Sequence, residues 1–284
     1  MRKINLLKNR KIITIEGEDR FKFLQGIITN DIEKINNNLA IYSCLLTPQG
    51  KYLADFFISE LDGCLIIDLP DLSKDYVIKK FTLYKLRSKI EIADRSNEYL
   101  IYSILDKNFS FHTQGSIVKL EHALAFVDPR LKNLGVRAFV SIHDKSKIEK
   151  TYPDHSDYYD RLRIDHLVPE GHKDMIAEKS FPLEFGLEKF NAIDFKKGCY
   201  VGQELISRTH YRGVVRKRIF KITSNTNMAK PGSEITANGQ KIGIVCSTIE
   251  NTGLAMLRTE DWQKAVDDKL EFYAGDILIE ISSS

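Results

Sequence analysis

The sequence predicts an α+β fold in which a small all-β domain follows a larger mixed region. Two observations predict this class: short strands occur as antiparallel neighbours with few helices between them, and after Gly213 only short strands and turn residues remain. We therefore place the domain boundary at Gly213, between a larger region, residues 1–213, and a carboxyl-terminal domain, residues 214–284. The polar segment 144–157, which contains Pro153, is expected to link two subdomains of the larger region.

The first part of the chain has the pattern of an antiparallel meander. Apolar runs predict strands over residues 11–15, 39–46, 51–60 and 64–69, with tight turns at 47–50 and 62–63. A short helix is predicted over 19–25, capped by Gly26, and the clearest helix is predicted over 71–88. The apolar arc of that longer helix consists of Leu72, Tyr76, Val77, Phe81, Leu83 and Tyr84.

The remaining elements follow the same rules of spacing. Further strands are predicted over 90–93, 99–105, 123–127 and 136–142. A second helix is predicted over 156–167, with Tyr159, Leu162 and His166 on one face, and it stops before Pro169. The strands predicted for the carboxyl-terminal domain are 216–222, 241–249, 254–258 and 277–281.

The composition is that of an ordinary globular protein, with 43% hydrophobic and 29% charged residues. The net charge, 42 − 39 = +3, is too small by itself to indicate nucleic-acid binding. The cysteines, Cys44, Cys64, Cys199 and Cys246, form no CxxC pair, which argues against a disulfide scaffold and a zinc ribbon. We recognise no signal peptide and no membrane-spanning run, so we expect a cytoplasmic location and no membrane partner.

Residues 195–218, FKKGCYVGQELISRTHYRGVVRKR, carry the most distinctive chemistry. Gly198 and Gly202 bracket Cys199 and predict a tight backbone passage there. Cations follow without an intervening acid, namely Arg208, Arg212, Arg216, Lys217, Arg218 and Lys221. Nearby cations favour the reactive thiolate form of a cysteine. The alternative, a buried structural cysteine, is favoured by residue chemistry alone because free cysteines are usually buried.

Other kinds of site receive little support from the sequence. There is no P-loop, GxGxxG, GxSxG or HExxH motif, and no histidine stands at metal-ligand spacing, so no metal site is predicted. The spacing of Cys199 and His210 does not favour a nucleophile–base pair. A basic group at Lys79, Lys80, Lys85, Arg87 and Lys89 reads as a solvated helix face. The basic run after Cys199 stays open between a solvated surface and a polyanion site.

Several scattered polar residues fit either of two descriptions. They could be ordinary surface groups and caps, or they could form part of a pterin site. A carboxylate can accept two N–H donors of a pterin edge at once, and an aromatic side chain such as Tyr159 can stack on the ring. The candidates of this kind are Asp128, Arg130, Arg137, Glu170 and Glu184.

The segment KGCYVGQE, residues 197–204, resembles the signature of the YgfZ-type folate-binding family. This family is a relative of the aminomethyltransferase (T-protein) of glycine cleavage. Four other segments fit the family in the right order: FLQGIITND at 23–31, LRSKIEI at 86–92, DPR and LGVR within 128–137, and VPEG at 168–171. The run RTHYRGVVRKR, residues 208–218, looks closest to the mitochondrial-type branch. The likeness covers nearly the whole chain.

The resemblance implies a ring of small ferredoxin-like α+β domains around a folate pocket, closed by a carboxyl-terminal β-barrel. It also implies a role in the assembly or repair of iron–sulfur clusters, mainly of the 4Fe–4S kind, in which Cys199 is the functional cysteine. Its motif partners would be Lys197, Gly198, Tyr200, Gly202, Gln203, Glu204 and Arg208. The bound folate would be tetrahydrofolate or a derivative, contacted by Arg10, Arg130, Tyr159 and Glu184. Its partners would be the iron–sulfur assembly machinery or client enzymes, met transiently, and nothing in the pattern demands more than a monomer.

Three functions follow, in decreasing order of support. The first is a folate-binding assembly factor in which Lys197 and Arg208 favour the Cys199 thiolate while Gln203 and Glu204 fix the loop by hydrogen bonds. Since clusters normally take four thiolates, Cys199 would share a cluster with a partner. The second is a folate-dependent one-carbon transferase. Cys199 argues against it, because aminomethyltransferases usually have an acidic residue and no cysteine in this stretch. The third is RNA binding by the basic run.

Overall fold

The computed structural model describes residues 2–155 and 157–282, and it has the α+β class that the sequence predicts. Two open sheets and a closed barrel form the architecture. The elements of the first part are β1 (Lys3–Leu6), β2 (Arg10–Glu16), α1 (Arg20–Gln25), β3 (Ile41–Leu46), β4 (Tyr52–Leu61), β5 (Cys64–Pro70), α2 (Asp71–Lys85) and β6 (Glu91–Asp94). Those of the second part are β7 (Tyr99–Leu105), β8 (Ile117–Leu120), β9 (Ala123–Val127), β10 (Val136–Ser141), α3 (Lys145–Thr151), β11 (Asp154–His155), α4 (Tyr159–Asp165), α5 (Gly171–Asp174) and α6 (Gln203–Arg212).

The first sheet has the order β3-β4-β5-β2-β6 and is antiparallel throughout. The β4–β5 turn has Asp62 and Gly63 at φ values of 51° and 79°, which is the pair of left-handed residues that a two-residue hairpin requires. Alternation along β4 places Phe56 and Ile58 against α1 and α2, and Phe57 on the opposite face. The predicted meander is therefore confirmed.

The second sheet has the order β11-β1-β7-β10-β9-β8. Its only parallel pair among the described strands is β1 with β11, and the other pairs are antiparallel. The amino-terminal strand β1 thus belongs to the second sheet, whereas β2 belongs to the first. The segment 144–157, expected to link two subdomains, carries α3 and β11 and so contributes a strand to the second sheet.

The carboxyl-terminal part forms a closed six-stranded barrel with the order β12-β15-β14-β13-β16-β17. Its elements are β12 (Lys217–Ser224), β13 (Glu234–Ala237), β14 (Gln240–Ile249), β15 (Thr252–Arg258), α7 (Thr259–Asp267), β16 (Phe272–Ala274) and β17 (Ile277–Ser282). The barrel has its own apolar core, and polar contacts, such as the Ser247 N–H that donates to Asp174 at 2.8 Å, help attach it to the rest.

A central apolar core lies where the two sheets and the barrel meet. It includes Tyr42, Phe57 and Phe126 from the sheets and Leu254 from the barrel. Successive side chains of these strands point to opposite faces of the sheet. One set faces this junction, and the other set faces the separate apolar core of its own sheet. The candidate site is built around this junction.

Several helices differ from the prediction. In α2 only Val77 and Phe81 are buried, while Leu72 and Leu83 are 85% and 63% exposed, so the predicted wide apolar arc is wrong for those two leucines. The helix predicted over 156–167 is α4, and its expected first residue, Ser156, lies outside the described residues. Gly26 follows α1, as predicted, with a right-handed φ of −80°. Among the described residues no helix combines the length and apolar character that a membrane crossing requires.

Candidate functional site

Cys199 lies in an exposed loop directly before α6. All four cysteines fall in the described part of the chain, and the other three are buried or half-buried. The alternative of a buried structural cysteine, which residue chemistry favoured, is therefore wrong. An exposed thiol can meet a partner molecule without any rearrangement of the core.

The loop is anchored by the buried amine of Lys197. Its Nζ donates hydrogen bonds to three backbone carbonyl oxygens, those of Gln25 at 2.9 Å, Ile28 at 2.7 Å and Asn30 at 2.8 Å. These carbonyls belong to the FLQGIITND segment, so two segments that are far apart in sequence form one structure. Burial lowers the pKa of Lys197 to about 8, although the charges of Asp31 and Asp194 partly oppose this.

Asp194 fixes the start of the same loop. Its Oδ1 accepts the backbone N–H groups of Lys196 at 2.7 Å and Lys197 at 3.2 Å, and its Oδ2 pairs with Lys34 at 2.8 Å. Burial opposes the ionisation of this carboxyl, but the hydrogen bonds from Lys34 and the backbone lower its pKa below the usual value. The Asp194 N–H in turn donates to the Thr29 carbonyl at 3.0 Å.

The two motif glycines have different roles. Gly202 has a φ of 85°, and a Cβ at this position would lie 2.5 Å from the Thr47 carbonyl oxygen and 3.1 Å from the Gly50 Cα. The predicted tight passage is confirmed here, since the loop packs backbone to backbone on the turn at 47–50. It is wrong for Gly198, where a Cβ would meet no atom within 4 Å and φ is not left-handed.

The remaining motif residues are divided between the core and the surface. Tyr200 is buried, and the Lys197 Nζ lies 5.0 Å from the centre of its ring. Gln203 and Glu204 begin α6, but within residues 2–155 and 157–282 neither side chain makes a hydrogen bond, so the expected loop-fixing bonds are not formed. Arg208 is exposed on the same helix. The effect of Lys197 and Arg208 on the Cys199 thiol stays a prediction.

Aromatic rings flank the loop. The His210 ring stacks on Phe195 with their centres 3.8 Å apart and their planes 18° apart, and Tyr211 meets Phe195 edge-on at 6.0 Å. Tyr211 is 67% exposed and Val214 is 78% exposed. In the described structure His210 makes no hydrogen bond to Cys199, so its established contact is the stacking. The sequence analysis did not predict the helix α6.

A second group of residues forms a buried polar network at the junction of the sheets. Asp68 on β5 accepts Arg10 Nε at 2.7 Å and Arg137 Nη1 at 2.6 Å, and Arg10 also reaches Glu170 at 3.3 Å. The guanidinium of Arg137 lies 3.9 Å from the ring centre of Phe57. This network joins β2 and β5 of the first sheet to β10 of the second.

Tyr159 and Arg130 complete this network. Arg130 donates to Asp128 at 2.7 and 3.0 Å and to the Tyr159 hydroxyl at 2.5 Å, and that hydroxyl donates to Glu170 at 3.1 Å. Burial raises the pKa of Tyr159 to about 12, so the hydroxyl keeps its proton. Burial would raise the pKa of Glu170, but Arg10 and Arg130 lower it well below its usual range. Three of the predicted folate residues thus lie together.

The fourth predicted folate residue does not join them. Glu184 lies in a 3₁₀ helix, Pro182–Phe185, and lines a different cavity of about 510 Å³ beside the barrel. Arg10 and Tyr159 line a cavity of about 370 Å³ together with Glu170 and residues around it. The structure therefore divides the four predicted residues between two places.

Sequence reasoning missed one polar centre. Asp55 on β4 is fully buried and accepts the hydroxyl of Tyr52 at 2.6 Å and that of Tyr42 at 2.9 Å. It lies on the same face of β4 as Phe57. The available signal was the carboxylate itself, which interrupts an otherwise apolar strand and must be paired when buried.

Comparisons with known proteins agree with this architecture. Residues 216–283 match the family model of the CAF17 carboxyl-terminal β-barrel domain. An iron–sulfur cluster assembly factor IBA57 homolog from Pyricularia oryzae is 30% identical over 282 residues, which cover 89% of this chain and 71% of that protein. The chain belongs to the IBA57 family of iron–sulfur cluster assembly factors. The human mitochondrial IBA57 is 28% identical over 95% of this chain and 80% of its own length.

A second sequence relative and a solved structure extend the comparison. The Dictyostelium discoideum homolog is 30% identical over 80% of this chain, and the chain spans 64% of that relative's length. The aminomethyltransferase T of the glycine cleavage system from Bartonella henselae has the same fold, with a TM-score of 0.75 over 99% of this chain and 85% of that chain. At 13% identity this likeness shows the fold alone.

These findings change one expectation and leave another open. The expected cytoplasmic location is contradicted, because the IBA57 relatives described above are mitochondrial proteins by name. The matches establish an iron–sulfur cluster assembly family, which is the coarser part of the resemblance. The YgfZ-type kinship and folate binding stay predictions.

Proposed function

We propose that this protein acts in iron–sulfur cluster assembly in mitochondria, and that the Cys199 thiolate contacts a cluster carried by a partner protein. The observation that supports this most is the exposed position of Cys199 on a loop held at three points. Those points are the Lys197 amine, the Asp194 carboxylate and the close backbone packing at Gly202. A ligand needs such a fixed position, because a mobile thiol would lose conformational entropy on binding.

Cys199 supplies one ligand, whereas a cluster normally takes four cysteine thiolates. The cluster is the cargo of this protein, and the partner supplies the other thiolates. The partners proposed are the iron–sulfur assembly machinery and its client enzymes. Kinship with the YgfZ-type proteins is proposed at the same level, on the KGCYVGQE segment.

The surface beside Cys199 fits an acidic partner. Arg208, Arg212 and Arg216 are exposed next to the exposed Tyr211. Arginine and tyrosine are enriched in protein interfaces, and opposite charges speed the encounter of two proteins. RNA would also be attracted by these cations, but an exposed thiol would have no role in such a complex.

The central residues assigned to a folate do not fit one. Arg10 and Arg130 are 5% and 1% exposed, Tyr159 is 4% exposed, and their polar atoms mostly bond to Asp68, Asp128 and Glu170. The hydrogen-bonding groups of Arg10, Tyr159 and Glu170 that line the cavity of about 370 Å³ are engaged with one another and with Asp68, and one unpartnered Arg130 nitrogen is itself buried. We therefore derive no folate-dependent step, and one-carbon transfer is not supported as an activity.

The proposal is tested by replacing Cys199 in cells that depend on this protein. Cys199→Ser removes the thiol from an exposed loop, so the variant should fold normally and fail to restore 4Fe–4S enzyme activity. Cys64→Ser, at a half-buried cysteine outside the loop, is the matched control and should restore it. Normal 4Fe–4S enzyme activity in cells with Cys199→Ser would remove the thiol from the mechanism.

A further inference from the structure

The outer face of helix α2 carries leucines that the described structure leaves uncovered. Leu72, Lys79 and Leu83 are spaced so that they lie on one side of the helix. Val77 and Phe81, on the opposite side, are buried in the core of the first sheet. The packing of α2 therefore uses one side of the helix only, and the exposed leucines belong to the other side.

Leu86 ends α2 in a backbone conformation that leucine rarely adopts. Its φ is 46° and its ψ is −109°, and its side chain is 87% exposed. A residue held in such a conformation costs free energy, and residues of this kind cluster at functional sites. Leu83 and Leu86 thus place two large apolar side chains in solvent at the carboxyl-terminal end of the helix.

Cations share this end of α2 with the two leucines. The segment 76–90 contains no acid and five cations, namely Lys79, Lys80, Lys85, Arg87 and Lys89. Lys79, Lys85 and Arg87 make neither an ion pair nor a hydrogen bond within the described part of the chain, whereas Lys89 pairs with Glu18. The expected solvated basic face therefore does not account for the leucines that accompany these cations.

The composition of this face favours a lipid surface over a protein partner. Arginine and tyrosine are enriched at protein interfaces, whereas lysine is depleted there. The surface of α6, with Arg208, Tyr211 and Arg212, has the composition of a protein interface. The face of α2 combines leucines with lysines instead, which is typical of helices that lie on an anionic membrane. Lysine stems can lie along apolar surface while their amines meet lipid headgroups.

We propose that the outer face of α2 binds the surface of a membrane that contains anionic lipids. Leu83 and Leu86 would enter the boundary between headgroups and acyl chains, and the cations Lys79, Lys85 and Arg87 would meet lipid phosphates. Attachment of this kind needs no membrane-spanning helix. It departs from the expectation of no membrane partner, which rested on the lack of a membrane-spanning run.

Binding to vesicles tests the proposal. The full chain would be sedimented with vesicles of phosphatidylcholine and cardiolipin, and with vesicles of phosphatidylcholine alone. We expect binding to the cardiolipin vesicles, several-fold weaker binding to the neutral ones, and a decrease as salt is added. Cys199→Ser should bind vesicles as the wild type does, because the attachment does not depend on the thiol.

Variants then locate the contact on the molecule. Leu83→Gln removes an exposed apolar side chain and should lower the affinity for cardiolipin vesicles about 5-fold. Lys79→Glu reverses a charge and should lower it about 10-fold. Leu278→Gln, at a 51% exposed leucine of the barrel, and Arg212→Glu, on α6, are the matched controls and should bind much as the wild type does. Thermal midpoints show whether each variant is folded.

Several results would overturn the proposal. They are a wild type that binds neither kind of vesicle, equal binding to both kinds, and control variants that lose as much affinity as Leu83→Gln and Lys79→Glu. Capture of an acidic protein that Lys79→Glu abolishes, by a chain that binds no vesicle, would assign this face to a protein partner instead.

Discussion

The Lys197 amine shows how one side chain can hold a functional loop. An ammonium group has three protons, and here they meet three backbone carbonyl oxygens. The Lys197 amine also lies over the ring of Tyr200. The position of the loop therefore depends on an interior cation and little on the motif side chains at its surface.

Removing this amine should destabilise the protein. Lys197→Met leaves three carbonyls unsatisfied and should lower the free energy of unfolding by about 2–4 kcal/mol. Lys196→Met, at the exposed neighbour, should change it by less than about 0.5 kcal/mol. Urea denaturation measures both, and equal stability of the two variants would show that the buried hydrogen bonds contribute nothing.

The two motif glycines provide a second matched pair. Gly202→Ala must fit a Cβ 2.5 Å from the Thr47 carbonyl oxygen at a φ of 85°, and should cost about 1–3 kcal/mol or more. Gly198→Ala meets no atom within 4 Å and should change the unfolding free energy by under about 1 kcal/mol. Thermal denaturation would distinguish them, and a larger loss for Gly198→Ala would contradict the described packing.

At the scale of single residues, the sequence identified the important motif residues but not the contacts that they make. The KGCYVGQE segment identified Cys199, Lys197 and Gly202 as important. The segment could not show that Lys197 donates to the carbonyl oxygen of Gln25, some 170 positions earlier in the chain. That contact depends on the fold. Asp55 was missed for the same reason, since its partner Tyr42 comes from the neighbouring strand β3, while Tyr52 begins β4 itself.

At the scale of elements, helix α6 connects the thiol to the basic surface. Its turns present Arg208 and Arg212 to solvent, whereas Ile206 is buried against the core. No helix was predicted for this run, in which charged residues are as numerous as apolar ones, so the helical period was hard to see. The helix nevertheless starts where the predicted loop ends, at Gly202.

Charge reversal on α6 should weaken partner binding. Arg212→Glu places an acid at the carboxyl-terminal end of α6, the helix that follows Cys199, and should reduce the amount of co-purified acidic partner several-fold, more strongly at low salt. Lys79→Glu makes the same kind of change on the exposed side of α2 and should leave it unchanged. Equal loss in both variants would mean that net charge, and not this surface, controls the interaction.

The network between the sheets predicts a large effect on stability. Asp68 pairs with Arg10 from its own sheet and with Arg137 from the other, and all three are buried. Asp68→Asn removes the counter-charge of the buried Arg137 and one of the two acids paired with the buried Arg10, and should cost about 3–5 kcal/mol. Asp94→Asn, at a partly exposed acid paired with Lys74, should cost under about 1 kcal/mol. Denaturant midpoints measure both, and a small loss for Asp68→Asn would contradict this network.

At the scale of the whole molecule, the sheets and the barrel were predictable because they rest on local patterns. Alternating strands, the hairpin at Asp62 and Gly63, and the change of pattern after Gly213 are all visible in the sequence. The pairing of β1 with β7 and β11 could not be predicted, since β1 has no strong sequence pattern and its partners are distant in the chain. The same limit applies to the placement of Glu184 away from Arg10 and Tyr159.

The fold places the proposed functional cysteine, Cys199, at the surface. The barrel and the two sheets meet in a core that contains no exposed thiol, and the loop carrying Cys199 projects from their junction. The buried polar network has a structural role, since its arginines and acids join the two sheets. The proposed contact with a partner's cluster would take place at the surface.

The most direct measurement is the iron and sulfide content of complexes purified anaerobically from cells. The full chain is isolated as the wild type, as Cys199→Ser and as Cys64→Ser, and iron and acid-labile sulfide are counted per chain together with the bound partner. We predict that the wild type and Cys64→Ser retain iron and sulfide in a partner complex, and that Cys199→Ser loses most of both. Equal iron and sulfide in the Cys199→Ser complex would contradict the claim that this thiol contacts the cluster.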